Sequence, residues 1–111
     1  MAVDEVLPLS AASFHILLAL ADGERHGYAL IKDIEEETGG AIRLGTGTLY
    51  RIVRQLLDDG WIAESPRVDP DPRRRFYRLT PRGREVAKAE ARRLAGVVAL
   101  AHRRRLLPAR A

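Results

Sequence analysis

The 111-residue chain has no cysteine, which removes disulfide frameworks and thiolate metal sites together. Its three histidines, His15, His26 and His102, are too scattered for a metal motif, and His26 reads better as a helix cap. No metal or cofactor is expected. Aromatic residues are scarce, with two Phe, three Tyr and one Trp, so the core has to be built mainly from Leu, Ile, Val and Ala. Long hydrophobic runs are missing too. The longest near the N-terminus, Ile16 to Ala21, is far too short to span a bilayer, and Met1 to Glu5 is acidic where a secretory signal would be basic. A cytoplasmic protein with no membrane partner is the expectation. There is no glycine-rich phosphate loop and no Ser-His-Asp pattern, and the adjacent Asp58 and Asp59 would diverge by about 100° on a helix. Nothing in the sequence reads as an enzyme.

What the chain does have is charge, unevenly placed. Residues 1–66 carry 5 basic and 11 acidic groups, whereas Arg67 to Arg105 carries 13 basic and 4 acidic ones. A basic half on a small protein suggests a polyanionic partner, through attraction and counterion release. An arginine-rich helix can equally be plain solvated surface, so charge alone does not decide. The hydrophobic fraction of 46% is ordinary for a globular domain.

Periodicity predicts four helices and a hairpin. Ser10 opens the first helix, which carries Phe14, Ile16, Leu17, Leu18 and Leu20 on most of its circumference and stops at Asp22-Gly23. The second runs from His26-Gly27 to Gly39-Gly40, with Leu30, Ile31 and Ile34 as its apolar stripe. The third begins around Gly45-Thr46 and runs to Asp59-Gly60. Its Leu49, Ile52, Val53, Leu56 and Leu57 follow helical spacing, while Gly47, Arg51, Arg54 and Asp58 point the opposite way, flanked by Thr48 and Tyr50. The period then changes to two over residues 61–65 and 74–79, around a Pro/Asp loop. Trp61 at the head of this hairpin is expected to anchor the core or an interface. Thr80-Pro81 opens a last helix reaching about Leu107, roughly 40 Å long at 1.5 Å per residue.

Three short helices followed by a two-stranded hairpin is the winged helix-turn-helix order. The expected fold is therefore mainly α with a small β-hairpin: a DNA-binding domain over residues 1–80, then a long dimerisation helix and short tail over residues 81–111. In such modules the third helix enters the major groove and the hairpin loop follows the backbone. Gly45 and Gly47 would let backbone approach phosphates closely at a helix N-terminus. Arg51 and Arg54 are candidates for base or phosphate contacts, against a solvated helix face. Arg73, Arg74 and Arg75 are candidates for a phosphate clamp, against a charged strand edge; Arg74 and Arg75 should point to opposite faces.

The residues His26-Gly27-Tyr28, Leu44 through Arg51, Leu57 through Ile62, and Tyr77-Arg78-Leu79-Thr80 with Gly83 resemble the PadR family of bacterial transcriptional regulators. The likeness spans roughly Leu7 to Leu107, and the single terminal helix is similar to the small subfamily. The resemblance implies a homodimeric repressor on double-stranded DNA, released by a small-molecule effector that the sequence does not identify. It places Tyr28, Thr48 and Tyr50 at DNA, beside Thr46, Gly47 and Arg51; from the residues alone, Tyr50 reads as either a core cap or a phosphate-facing hydroxyl, and Tyr28 as either a phosphate contact or a packing residue. Many relatives have Pro at the position of Arg51. Gly45 stands where Ser is frequent, which leaves Thr46 as a substitute cap. Relatives that stack flat aromatic drugs between subunits use aromatics on the last helix, and this chain has none after Tyr77.

The last helix aligns Ala87, Ala91, Leu94, Val97, Val98 and Ala101 in one stripe, more than three short helices can cover, so a partner copy is expected there, against the alternative of a helix packed wholly within the monomer. The reading is a nucleoid-associated, sequence-specific repressor, dimeric on a palindromic operator. Its rivals are a winged helix used as a protein–protein module and a non-specific architectural DNA binder. The Thr, Tyr and Arg on the third helix favour the first, since a protein-binding face should be more apolar.

Overall fold

A computed structural model describes residues 3–71 and 74–108. After a 3-10 turn at Val3–Val6 come α1 (Ala11–Ala21), β1 (Arg25–His26), α2 (Gly27–Glu37), α3 (Thr46–Asp58), β2 (Ile62–Glu64), β3 (Phe76–Leu79) and α4 (Pro81–Arg103). The sequence marks most helix starts chemically. Ser10 Oγ accepts the Ser13 N–H at 3.1 Å, His26 Nδ1 accepts the Ala29 N–H at 3.2 Å, and Thr80 Oγ1 accepts the Gly83 N–H at 3.0 Å. Each satisfies a backbone donor that a helix start would otherwise leave unpaired.

Helix α1 is the central element, with Ile16, Leu17, Ala19 and Leu20 buried between α2, the sheet and α4. Leu30 and Ile34 of α2, Leu49, Val53 and Leu56 of α3, and Val86 of α4 complete the core. Between α2 and α3 the chain turns tightly. Thr38 Oγ1 donates to the Ile34 carbonyl at 2.8 Å and accepts the Ile42 N–H at 3.0 Å, and Gly39 and Gly40 take φ of 60° and 83°, a region open to glycine at little steric cost. Trp61 is buried, and its backbone carbonyl occupies the space that a Cβ on Gly83 would fill. Helix α4 therefore starts in close backbone contact with the hairpin.

Four details differ from the sequence expectation. The sheet has three strands in the order β1-β3-β2, both pairs antiparallel; β1, just two residues long, adds a strand to the expected hairpin. The hairpin strands are shorter than expected, β2 covering 62–64 and β3 beginning at Phe76, so Arg74 and Arg75 precede the strand. Helix α4 ends at Arg103, not near Leu107. Arg105 there adopts φ 61°, and the N–H groups of Arg105 and Leu106 bond back to the carbonyls of His102 and Ala101, a double closure that stops the helix. Thr46 does not cap α3: Gly45 is the cap residue and no side chain bonds the first turn.

Candidate nucleic-acid interface

The candidate surface is assembled from three places. The buried stripe of α3 fixes its rotation, so Thr46, Gly47, Thr48, Arg51 and Arg54 are all exposed. Because Gly45 supplies no side-chain cap, the first N–H groups of α3 keep their capacity for an external acceptor. A Cβ placed on Gly45 or Gly47 would have no neighbouring atom within 4 Å. Packing within the chain does not demand glycine there, while close approach of an outside group would profit from it.

Tyr50 behaves differently from its neighbours. It is half-buried and packs against the core, with its phenol lying directly over Gly27 at the start of α2. Tyr28, the residue after that glycine, is 58% exposed. Tyr28, Tyr50, Asp71 and Arg74 together line a hollow of about 430 Å³. A second, of about 540 Å³, runs along α3 past Gly47, Arg51 and Arg54 to Tyr77 at the sheet. Burial first, and Tyr50 and Glu64 second, push the Tyr77 phenol above its ordinary range, so it stays neutral.

The arginines around the wing are not equivalent. Arg75 donates to Glu64 Oε1 at 2.8 Å, an exposed pair across the hairpin that holds its guanidinium firmly protonated. Arg67 lies over the Phe76 ring, 4.3 Å from its centroid. Arg74 instead borders the hollow shared with the two tyrosines. Arg73 lies outside the described residues. The wing base is tied down by Ser65, whose Oγ donates to Glu24 Oε2 at 2.6 Å.

On α4 the stripe divides. Ala87 packs against the chain's own core, Leu94 and Ala101 are half-buried, and Ala91, Val97 and Val98 are exposed, the two valines at 53% and 46%. The face turned inward is Gly83, Val86 and Glu90. Glu90, only 2% exposed, accepts the Leu9 N–H at 2.9 Å and pairs with Arg93; the Arg93 hydrogen bond, aided by Leu9 and opposed by burial, holds its carboxyl below the ordinary range. Sequence reasoning does not single out Glu90. Its spacing of four from Val86 and seven from Gly83 is the available signal, masked by its charge.

The family model of the PadR-like transcriptional regulators matches residues 16–89. The chain is 35% identical over 85 residues to the transcriptional regulator Rv3488 of Mycobacterium tuberculosis, covering 77% of each protein. A PadR family regulator from Clostridium difficile superposes with a TM-score of 0.73 at 19% identity, over 85% of this chain and 97% of that one. PadR of Bacillus subtilis, solved with operator DNA, superposes at 0.64 with 23% identity, over 72% of this chain and 47% of that one. With its family match and its winged helix-turn-helix fold, this chain belongs to the PadR-like family of transcriptional regulators, which are not enzymes.

Proposed function

We propose that the chain represses transcription as a homodimer that reads a palindromic operator through α3. The observation that carries this reading is the junction of α2, α3 and the wing: Tyr28, Tyr50 and Arg74 border a single hollow, Tyr50 shares a second with the exposed Arg51 and Arg54, and Thr48 lies beside Arg51 on the side of α3 toward the start of α1. Thr48 and Arg51, near the start of α3, are the base readers in this account, with Arg54 on the flanking phosphate. Thr46 and Gly47 offer backbone N–H groups to a phosphate, and Arg74 neutralises one from the wing. Arg75, engaged by Glu64, takes a lesser part in the same clamp, to which Arg73 also belongs. The fold shared with PadR, which was solved with operator DNA, supports DNA as the ligand of this face.

In this reading residues 1–80 form the DNA-binding domain and residues 81–111 the dimerisation helix and tail. The partner copy covers Ala91, Leu94, Val97, Val98 and Ala101, with Ala87 at the inner end of the contact. The adjacent exposed valines Val97 and Val98 would otherwise leave apolar area in water at about 25 cal/mol per Å². Release by a small molecule belongs to the same reading. A hollow of about 340 Å³ lined by Ala95, Val98, Ala99 and His102 adjoins the stripe and would bring such a ligand between subunits. Footprinting of the DNA upstream of the protein's own gene tests the proposal. Two protected half-sites, related by a dyad and about one helical turn apart, are expected; uniform protection without a dyad would favour a non-specific binder instead.

A further inference from the structure

The contact between Gly27 and Tyr50 joins the two helices of the candidate DNA surface at one point. Gly27 is buried as the first residue of α2. A Cβ built on it would overlap the Tyr50 hydroxyl, sit 2.8 Å from the ring Cζ and 3.2 Å from Leu49 Cδ2. The missing side chain is therefore the seat of the Tyr50 ring. The backbone at this seat is fixed on its other side. His26 caps α2 through the Ala29 N–H, stacks edge-on against Phe76 with centroids 5.4 Å apart, and pairs with Phe76 in the sheet. Tyr28, next in the chain, shares the Arg74 hollow with Tyr50.

We infer that Gly27 is a positioning residue for DNA binding: by leaving room for the Tyr50 ring it sets the phenol against α2, beside Tyr28 and Arg74, where a phosphate would be held. This rests on the DNA-binding reading above. The atoms that a methyl group at residue 27 would meet are the far end of Tyr50 and, less closely, the Leu49 Cδ2 methyl, not backbone. A tyrosine can rotate away at modest cost, and its path leads outward into the hollow. Alanine at this position should thus leave the fold standing and displace the ring from the DNA face. The backbone imposes no penalty of its own, since Gly27 is not among the positive-φ glycines, and alanine is the better helix former.

The test is a double-mutant cycle with Gly27→Ala and Tyr50→Ala, read by operator affinity, thermal melting and NMR of 13C-labelled tyrosine in the free protein. Gly27→Ala is expected to weaken operator binding roughly tenfold, the scale of one lost contact, with melting close to wild type and a shifted Tyr50 ring signal. In the Tyr50→Ala background the glycine substitution should cost nothing further, because the ring it displaces is gone. A purely structural glycine would give additive losses. Additivity, or an unmoved Tyr50 signal, overturns the inference. If Gly27→Ala alone fails to fold, the double variant decides: folding restored by removing the ring supports the seat, and a double variant that also fails refutes it. The ring signal is read without DNA, so loss of the DNA-binding reading and loss of the seat are told apart.

Discussion

Thr80 is the joint between the wing and α4, and replacing it should be felt in both. Its hydroxyl accepts the Gly83 N–H at 3.0 Å and donates to the Gly60 carbonyl at 2.7 Å, while its own N–H bonds the Trp61 carbonyl at 3.1 Å. Thr80→Val keeps shape and β-branching but removes both side-chain hydrogen bonds. Loss of an N-cap costs about 1 kcal/mol, and the second, more exposed bond adds roughly 0.5–1 kcal/mol. For 111 residues the entropy of unfolding near the midpoint is about 0.23 kcal/mol per kelvin, so the total of about 1.5–2 kcal/mol should lower Tm by roughly 6–9 °C. Differential scanning calorimetry at matched protein concentration reads this, since the proposed self-association would make Tm concentration-dependent. Thr80→Ser, which retains both bonds, is the control and should melt much closer to wild type. A valine variant within about 2 °C of wild type, or a serine variant equally destabilised, would refute the reasoning that the hydroxyl acts through these bonds.

Arg74→Ala should weaken binding to all DNA sequences alike and flatten the salt dependence by about one phosphate's worth, whereas Arg75→Ala, which removes a group engaged with Glu64, should do less; an inverted order in anisotropy titrations would reassign the clamp. Leu94→Asp should place an unpaired charge in the proposed dimer contact, cost several kcal/mol of association, and give a monomer in sedimentation velocity at micromolar concentration. The carboxyl of Glu90 is held below its ordinary 4.5, so it stabilises the fold at pH above that value and the contribution is lost as pH falls through the depressed one. The melting gap between wild type and Glu90→Gln should therefore be widest near neutrality and close in acid; a gap that grows on acidification contradicts the pairing with Arg93 and Leu9.

The elements with local chemical markers are legible in the sequence. Ser10, His26 and Thr80 announce helix starts because their side chains act within three residues, and the stripe from Leu49 to Leu57 fixes which side of α3 faces out. What cannot be read there depends on partners far along the chain. Arg25 and His26 become a strand through pairing with Tyr77 and Phe76, about fifty residues away, and two residues carry no period. Glu90 is buried because Leu9, 81 positions earlier, brings its N–H to it. The early end of α4 rests on Arg105 taking a conformation usually left to glycine, which no residue type there signals. At the candidate site, the outward polar residues of α3 are visible on a helical wheel. The division of labour among the wing arginines is not, because it turns on Glu64 and Phe76 across the hairpin.

The central claim is that the exposed side of α3 reads DNA sequence. The most direct test is a fluorescence-anisotropy salt titration of wild type and the Arg51→Ala/Arg54→Ala variant, on operator and scrambled duplexes of equal length. Wild type should prefer operator by at least about 10³-fold at physiological salt. The double variant should lose most of that preference, with a salt slope on scrambled DNA shallower by about one or two phosphates. A double variant that keeps the full operator preference and the wild-type slope would contradict the account and move the recognition surface off α3.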